Sequence, residues 1–374
     1  MGALSWIFTL LALNGAVMAV LLAVARINRI ANGFLAALVG LISLRLAIYV
    51  LGFAGVYDDH PWITFAPLDA SLAFGALLWL YVESLTRGLP PERWRLHLLP
   101  AGVQLAYSAA AFALPLDVKL RWFRGPHLDW IEPIGFIAVL GSCAAYLALC
   151  WRRQRAYQSW LDDTFANRER WRLAWLTAIL GAFAVTLAFA TTAAVINAFS
   201  VPVDYFGRTP VILASSLLAY LLGLLGWRHA TVVLPPQPLT HALADAPDPR
   251  RSRPAAIFPA WAMRVETEGW WREEGLTLSQ VAQRLGTSER TLSRGLSEGA
   301  GRNFNEFING LRVEAVMRAI SGGARDDLLS LAFDYGFSSK ASFNRAFLRY
   351  TGTTPSLWRA SAPQISPTGT SGAT

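Results

Sequence analysis

Residues 276–296, LTLSQVAQRLGTSERTLSRGL, and residues 334–359, DYGFSSKASFNRAFLRYTGTTPSLWR, are two renderings of one pattern. Ala282, Gly286 and Ser288 recur fifty positions later as Ala332, Gly336 and Ser338. Leu292, Arg294 and Leu296 then match Phe343, Arg345 and Phe347 after one extra residue. Each copy reads as helix, tight turn, helix. The alanine lets the two helices approach. The glycine takes a turn conformation that other residues resist, and the serine stands where a helix N-cap is needed. This is the plan of a helix-turn-helix, whose second helix enters a major groove.

Local signals mark the boundaries. Thr277 with Gln280 and Asn303 with Glu306 are capping-box pairs, and Asp326 and Asp327 open the third helical run with favourable charge. Between the copies, 303–321 reads as one helix of about 28 Å. Two recognition helices must sit about 34 Å apart to meet successive major grooves on one face of DNA, and a connecting helix of this length suits that spacing.

With NFNEFINGLRVEAVMRAI (303–320) between them, the two stretches resemble the AraC/XylS family of bacterial transcription regulators. Gly336, Phe337, Ser338, Phe343, Arg345, Phe347, Gly352, Pro355 and Arg359 carry the most specific part of the likeness. It covers about 100 of the 374 residues. The resemblance implies an all-α, two-reader module with promoter DNA and RNA polymerase as partners, and no cofactor. It places base contacts on Arg290, Ser293 and Arg294 in the first reader and on Lys340, Ala341, Ser342 and Arg345 in the second. Arginine suits the task because it pairs bidentately with guanine O6 and N7. Ser288, Ser338 and Arg349 are better placed for phosphate, and Leu292, Leu296, Phe343 and Phe347 should be core. Gly295 departs from the pattern inside a recognition helix, where glycine costs about 1 kcal/mol relative to alanine. Leu296 replaces the usual Phe, and Gly310 interrupts the connecting helix. Residues 259–360 carry thirteen basic and eleven acidic residues, so net charge alone does not announce DNA. The local signal is 339–350, with Lys340, Arg345, Arg349 and no acid.

Upstream, 228–258 reads as a Pro/Ala-rich linker with a basic cluster at Arg250, Arg251 and Arg253. Such a tether transmits proximity rather than a small helix shift. Pairing of two chains would raise the readers' effective concentration on adjacent half-sites, so a second copy of the chain is an expected partner. Residues 361–374 read as a disordered tail.

The rest of the chain has another character. Hydrophobic residues make up 54% of the whole and charged residues 16%, against roughly 25% charged in an ordinary soluble domain. A bilayer core needs roughly 20 apolar residues per helix, and seven stretches reach that length: 4–24, 33–53, 63–82, 96–114, 131–150, 173–196 and 209–227. The sequence therefore predicts an all-α fold, a seven-transmembrane bundle (1–227) followed by a cytoplasmic double helix-turn-helix domain (259–360). Orientation follows from Lys and Arg in the loops. Arg26, Arg29, Arg87, Arg93, Arg95, Arg152, Arg153, Arg155, Arg168, Arg170 and Arg172 fall on one side; Lys119, Arg121, Arg124 and Arg208 fall on the other. That asymmetry puts the N-terminus outside and the tail in the cytoplasm of a bacterial cell, with the inner membrane and its lipid as surroundings.

Arg45 and Asp69 stand in the outer halves of neighbouring stretches. An ionisable group at that depth usually has a partner, so the two are an expected pair, either structural or part of a site for an unknown signal molecule. Asn14, Gln104, Thr191, Thr192 and Asn197 could line such a site or hydrogen-bond between helices. Two cysteines exclude a disulfide scaffold. The acidic cluster Asp58, Asp59, His60, His127, Asp129 and Glu132 lacks ligand spacing, and no metal site is expected. There is no HExxH, GxSxG or Walker loop, so no catalytic residue is expected and the chain does not read as an enzyme. The expected function is a membrane-embedded regulator with an outward sensor and an inward DNA reader. The alternatives are a constitutive regulator that the membrane only anchors, and a transporter or membrane enzyme with a regulatory tail. A cavity open to both sides would favour the last.

Overall fold

The computed structural model describes residues 3–167, 171, 173–199, 209–237, 254–324 and 326–361. Outside them lie Arg168, Arg170, Arg172, Arg208, the cluster Arg250, Arg251 and Arg253, and the tail from 362, together with the side chain of Asn197. The described residues are all-α, apart from one isolated antiparallel pairing of Phe165 with Thr277. They form two units: residues 1–156 with 173–242, and residues 157–172 with 243–374.

The first unit contains α1 (Ala3–Ala23), α2 (Arg29–Phe53), α3 (Phe74–Arg87), α4 (Leu99–Phe112), most of α5 (Glu132–Thr164), α6 (Ala174–Phe199) and α7 (Thr209–Arg228). Five segments are long and apolar enough to cross a membrane: Ser5–Ala23, Arg29–Phe53, Leu116–Thr164, Ala174–Ile196 and Thr209–Arg228. The stretches 63–82 and 96–114 depart from the seven equal spans expected. Each forms a helix of 14 residues, about 21 Å at 1.5 Å per residue, against a hydrocarbon core of about 30 Å. The cause is local. Pro67 lacks a donor and restricts Ala66, Phe65 adopts a φ of 69°, and Asp69 Oδ1 accepts from Ser71 N at 2.9 Å, a turn that competes with the helix. In the later stretch Pro100 stands in the first turn of α4 and Pro115 follows its end.

Small residues let these helices meet. A Cβ at Gly223 of α7 would lie 2.6 Å from Met18 Cβ of α1, and α1 packs on α2 and α7 throughout. The opposite face of α1 leaves Trp6, Leu10, Leu13, Val17 and Val20 exposed. At the end of α3, buried Glu83 receives Arg87 Nε at 2.8 Å and Arg153 Nε at 3.1 Å. Two of the loop arginines are thus anchored by a carboxylate that the sequence reading passed over. The start of the Pro/Ala-rich stretch is also held. Asn28 Nδ2 donates to the carbonyls of Ala230 (3.3 Å) and Val232 (2.7 Å), and Gln237 N donates to Thr86 O at 3.1 Å.

The second unit contains α8 (Pro254–Thr267), α9 (Leu278–Leu285), α10 (Glu289–Ala300), α11 (Phe304–Ser321), α12 (Leu328–Asp334), α13 (Lys340–Thr351) and α14 (Pro355–Ser361). It has two small cores. One gathers Phe258, Val265, Trp271, Val281, Leu292, Leu296 and Phe304; the other gathers Val316, Leu331, Phe337, Phe343 and Phe347. Helix α11 feeds both, with Ile308 in the first and Val313 in the second.

Candidate nucleic-acid interface

Each copy of the pattern folds as helix, turn, helix. Thr277 and Gln280 form a reciprocal capping box at the start of α9, and Gly286 ends that helix at a φ of 67°. Ser288 caps α10, its side chain accepting from Thr291 N. In the second copy the cap is Ser339 rather than Ser338, accepting from Ser342 N. The extra residue of the second copy therefore enters at the turn, and Ser338 sits one step before that cap. Asn303 and Glu306 form the capping box of α11, and Asp327 caps α12.

The candidate readers occupy the outer faces of α10 and α13. Arg290, Arg294, Lys340, Ala341, Arg345 and Arg349 are exposed, as is Ser288, while Ser293, Ser338 and Ser342 are half-buried. Leu292, Leu296, Phe343 and Phe347 are buried on the opposite stripe. Arg294 pairs with Glu298 at 3.2 Å, one turn along α10, and Arg349 pairs with Glu306 of α11. Exposed pairs of this kind contribute about 0–1 kcal/mol, so a phosphate or a base edge can displace them. The Ser342 hydroxyl donates to Ser339 O at 2.8 Å, which ties it into the cap.

The two unusual glycines have partners. A Cβ at Gly295 would lie 2.8 Å from Trp261 Cζ3, because α8 lies across α10. A Cβ at Gly310 would meet the Tyr350 ring at 3.3 Å. The Tyr350 hydroxyl in turn donates to Glu314.

Arg312 was missed by sequence reasoning. It is fully buried in α11, with Nε donating to Trp271 O at 2.8 Å, Nη2 to Glu273 O at 2.7 Å and Nη1 to Asn309 Oδ1 at 3.3 Å. Its guanidinium lies 5.7 Å from the Phe337 ring centroid. One side chain thus joins the segment before α9, the connecting helix and the second turn. Burial pulls its pKa down to about 10, so it stays cationic at neutral pH. The available signal was its place in the i, i+4 run Phe304, Ile308, Arg312, Val316, where every other member is apolar.

In the first unit, Arg45 Nε lies 3.7 Å from Asp69 Oδ2, with side chains 27% and 30% exposed. Gln104 joins the same neighbourhood, accepting from Leu72 N at 3.1 Å and donating to Ser71 Oγ at 3.2 Å. Among the described residues no group of three or more His, Cys, Asp and Glu is placed to hold a metal ion.

Comparison with known proteins agrees with this geometry. A helix-turn-helix domain family matches residues 281–361. An uncharacterised HTH-type transcriptional regulator of Staphylococcus aureus strain COL is 35% identical over 92 residues, 25% of this chain and 12% of that protein. A counterpart in strain N315 matches to the same extent. The chain thus spans about an eighth of the length of these relatives. The probable transcription factor PqrA of Proteus vulgaris is 30% identical over 89 residues, 24% of this chain and 71% of that protein. No solved structure matches. The matched proteins are transcriptional regulators, a non-catalytic class, in keeping with a sequence that carries no catalytic signature. Through its second unit, with both readers included in the match, the chain belongs to the helix-turn-helix family of DNA-binding transcription regulators.

Proposed function

We propose that the protein is a membrane-embedded, sequence-specific transcription regulator of the AraC/XylS type, sensing a signal through residues 1–227 and binding promoter DNA through 259–360. Arg290, Ser293 and Arg294 read bases in one major groove; Lys340, Ala341, Ser342 and Arg345 read the next; Ser288, Ser338 and Arg349 hold phosphate. The observation that carries this reading is the union, in one chain, of five long apolar helices with a helix-turn-helix unit whose arginines lie exposed on both recognition helices. The short helices α3 and α4 complete seven crossings together with the irregular segments that precede them. Non-helical backbone at membrane depth is tolerated where it is buried in protein or lines a cavity; residues 64–70, beside Arg45 and Gln104, are half-buried apart from exposed Pro67 and buried Ala70. This group is the sensor site for an unknown signal molecule. The N-terminus is outside and the reader is cytoplasmic at the bacterial inner membrane, in contact with lipid, RNA polymerase and a second copy of the chain.

The test is topology. A reporter active only in the cytoplasm should be active when fused after residue 230 and silent when fused near Asp58. The reverse pattern, or activity at both points, overturns the reading.

A further inference from the structure

Residues 157–172 belong to the unit that holds the helix-turn-helix pair, and three of them are bonded to its helices and turns. Phe165 pairs antiparallel with Thr277, and Ala166 N donates to Leu276 O at 3.1 Å. Asn305 Nδ2 donates to the carbonyls of Phe165 (3.1 Å) and Ala166 (2.7 Å), and Asn309 Nδ2 to that of Ala166 (3.0 Å). Ala166 is wholly buried in the first reader's core. Asn167 Nδ2 donates to Ser338 Oγ.

A connecting loop normally satisfies its backbone with water. Here two asparagines one turn apart on α11 do so instead, and Asn309 is itself bonded to Arg312. The segment is thus bonded to the first reader at Leu276 and Thr277, to the connecting helix, and to the second reader at Ser338.

We propose that Phe165–Asn167 is a clamp that competes with DNA for the reader. Ser338 stands at the N-terminal end of α13, where a phosphate is to be held, and the Asn167 carboxamide occupies that hydroxyl. Asp162 and Asp163, at the end of α5, immediately precede the clamp, like charges to a DNA backbone. By bonding to both readers it fixes their placement, whereas DNA imposes its own groove spacing. The segment is covalently continuous with α5, so a movement of that helix releases or seats it. This inference rests on the assignment of Ser338 and α13 to DNA contact.

The test uses the full chain in lipid nanodiscs and a duplex selected from a random pool by the same protein. Ala166→Trp cannot be seated in a fully buried position and should raise DNA affinity about tenfold, the scale of one or two net hydrogen bonds. Unchanged or weaker binding by an Ala166→Trp protein with an undiminished melting transition overturns the clamp. A second variant, Asn167→Cys with Ser338→Cys, locks it. Oxidation should form the cross-link and weaken DNA binding about tenfold or more, and reduction should restore it. If no cross-link forms, or if oxidised and reduced protein bind alike, the clamp is wrong. Failure of both the wild-type and the Ala166→Trp chains to select any duplex would instead overturn the DNA-reader assignment.

Discussion

Arg345 and Arg349 lie one turn apart on α13, both exposed, and they carry different expectations. Arg345→Ala should cost about 1–3 kcal/mol at one base position and relax preference there. Arg349→Ala should weaken binding to all sequences alike and lower the salt slope by about one. Titrations on specific and random duplexes at several salt concentrations separate the two; equal losses on both duplexes for both variants remove Arg345 from the readers. Arg312 acts inside the protein. Arg312→Ala strands the carbonyls of Trp271 and Glu273 and empties a buried volume, so the reader's stability, read from its melt, should fall by about 3 kcal/mol or more. Arg312→Lys should not rescue it, because a lysine lacks the planar fork that serves several acceptors at once. An unchanged melt in either variant contradicts this role. The exposed arginines were legible because the repeat fixes their phase on a helix. Arg312 was not, because an arginine in a helix is solvated by default, and the Trp271 and Glu273 carbonyls that make it a core residue are distant in sequence.

Among the helices, α10 shows how packing overrides propensity. Gly295→Ala gains about 1 kcal/mol of helix propensity, yet its Cβ overlaps Trp261 of α8. Overpacking of this kind costs about 1–3 kcal/mol. Thermal melts should show net destabilisation by Gly295→Ala, with the loss reduced in a Trp261→Leu background; a stabilised single variant would mean that α8 does not press on α10. The same contact explains what sequence reading could only register as a departure. The boundaries of α9 and α11 were readable from Thr277, Gln280, Asn303 and Glu306 because a capping box is a local device within four residues. The second reader's cap moved from Ser338 to Ser339 because an inserted residue can be absorbed on either side of a turn, and only the fold decides. The apolar stretches 63–82 and 96–114 form shorter helices than their hydropathy suggests, because hydropathy averages over Pro67, Asp69 and Pro100, whereas the backbone must obey each of them.

For the molecule as a whole, the proposed sensing requires a connection that carries a signal to the reader. Sequence alone offered one, the Pro/Ala-rich stretch. The structure holds the start of that stretch at Asn28 and Thr86 and begins α8 at Pro254. A second connection runs through α5, one continuous helix from Glu132 to Thr164 that leads directly into Phe165–Asn167. A helix transmits rotation and translation, and each residue added turns everything beyond it by about 100° and advances it by about 1.5 Å. One alanine inserted after Arg155 should therefore misplace the clamp segment and make regulation independent of the signal. Four alanines, about 40° from the original phase, should restore part of the response. A Gly/Ser segment of sixteen residues inserted at position 245 should weaken the response only modestly, since loop closure costs about 0.6 kcal/mol per doubling of length. Reporter transcription with and without stimulus reads all three. If the α5 insertions are silent and the insertion at 245 abolishes the response, the signal travels through the Pro/Ala-rich stretch, and α5 is only an anchor.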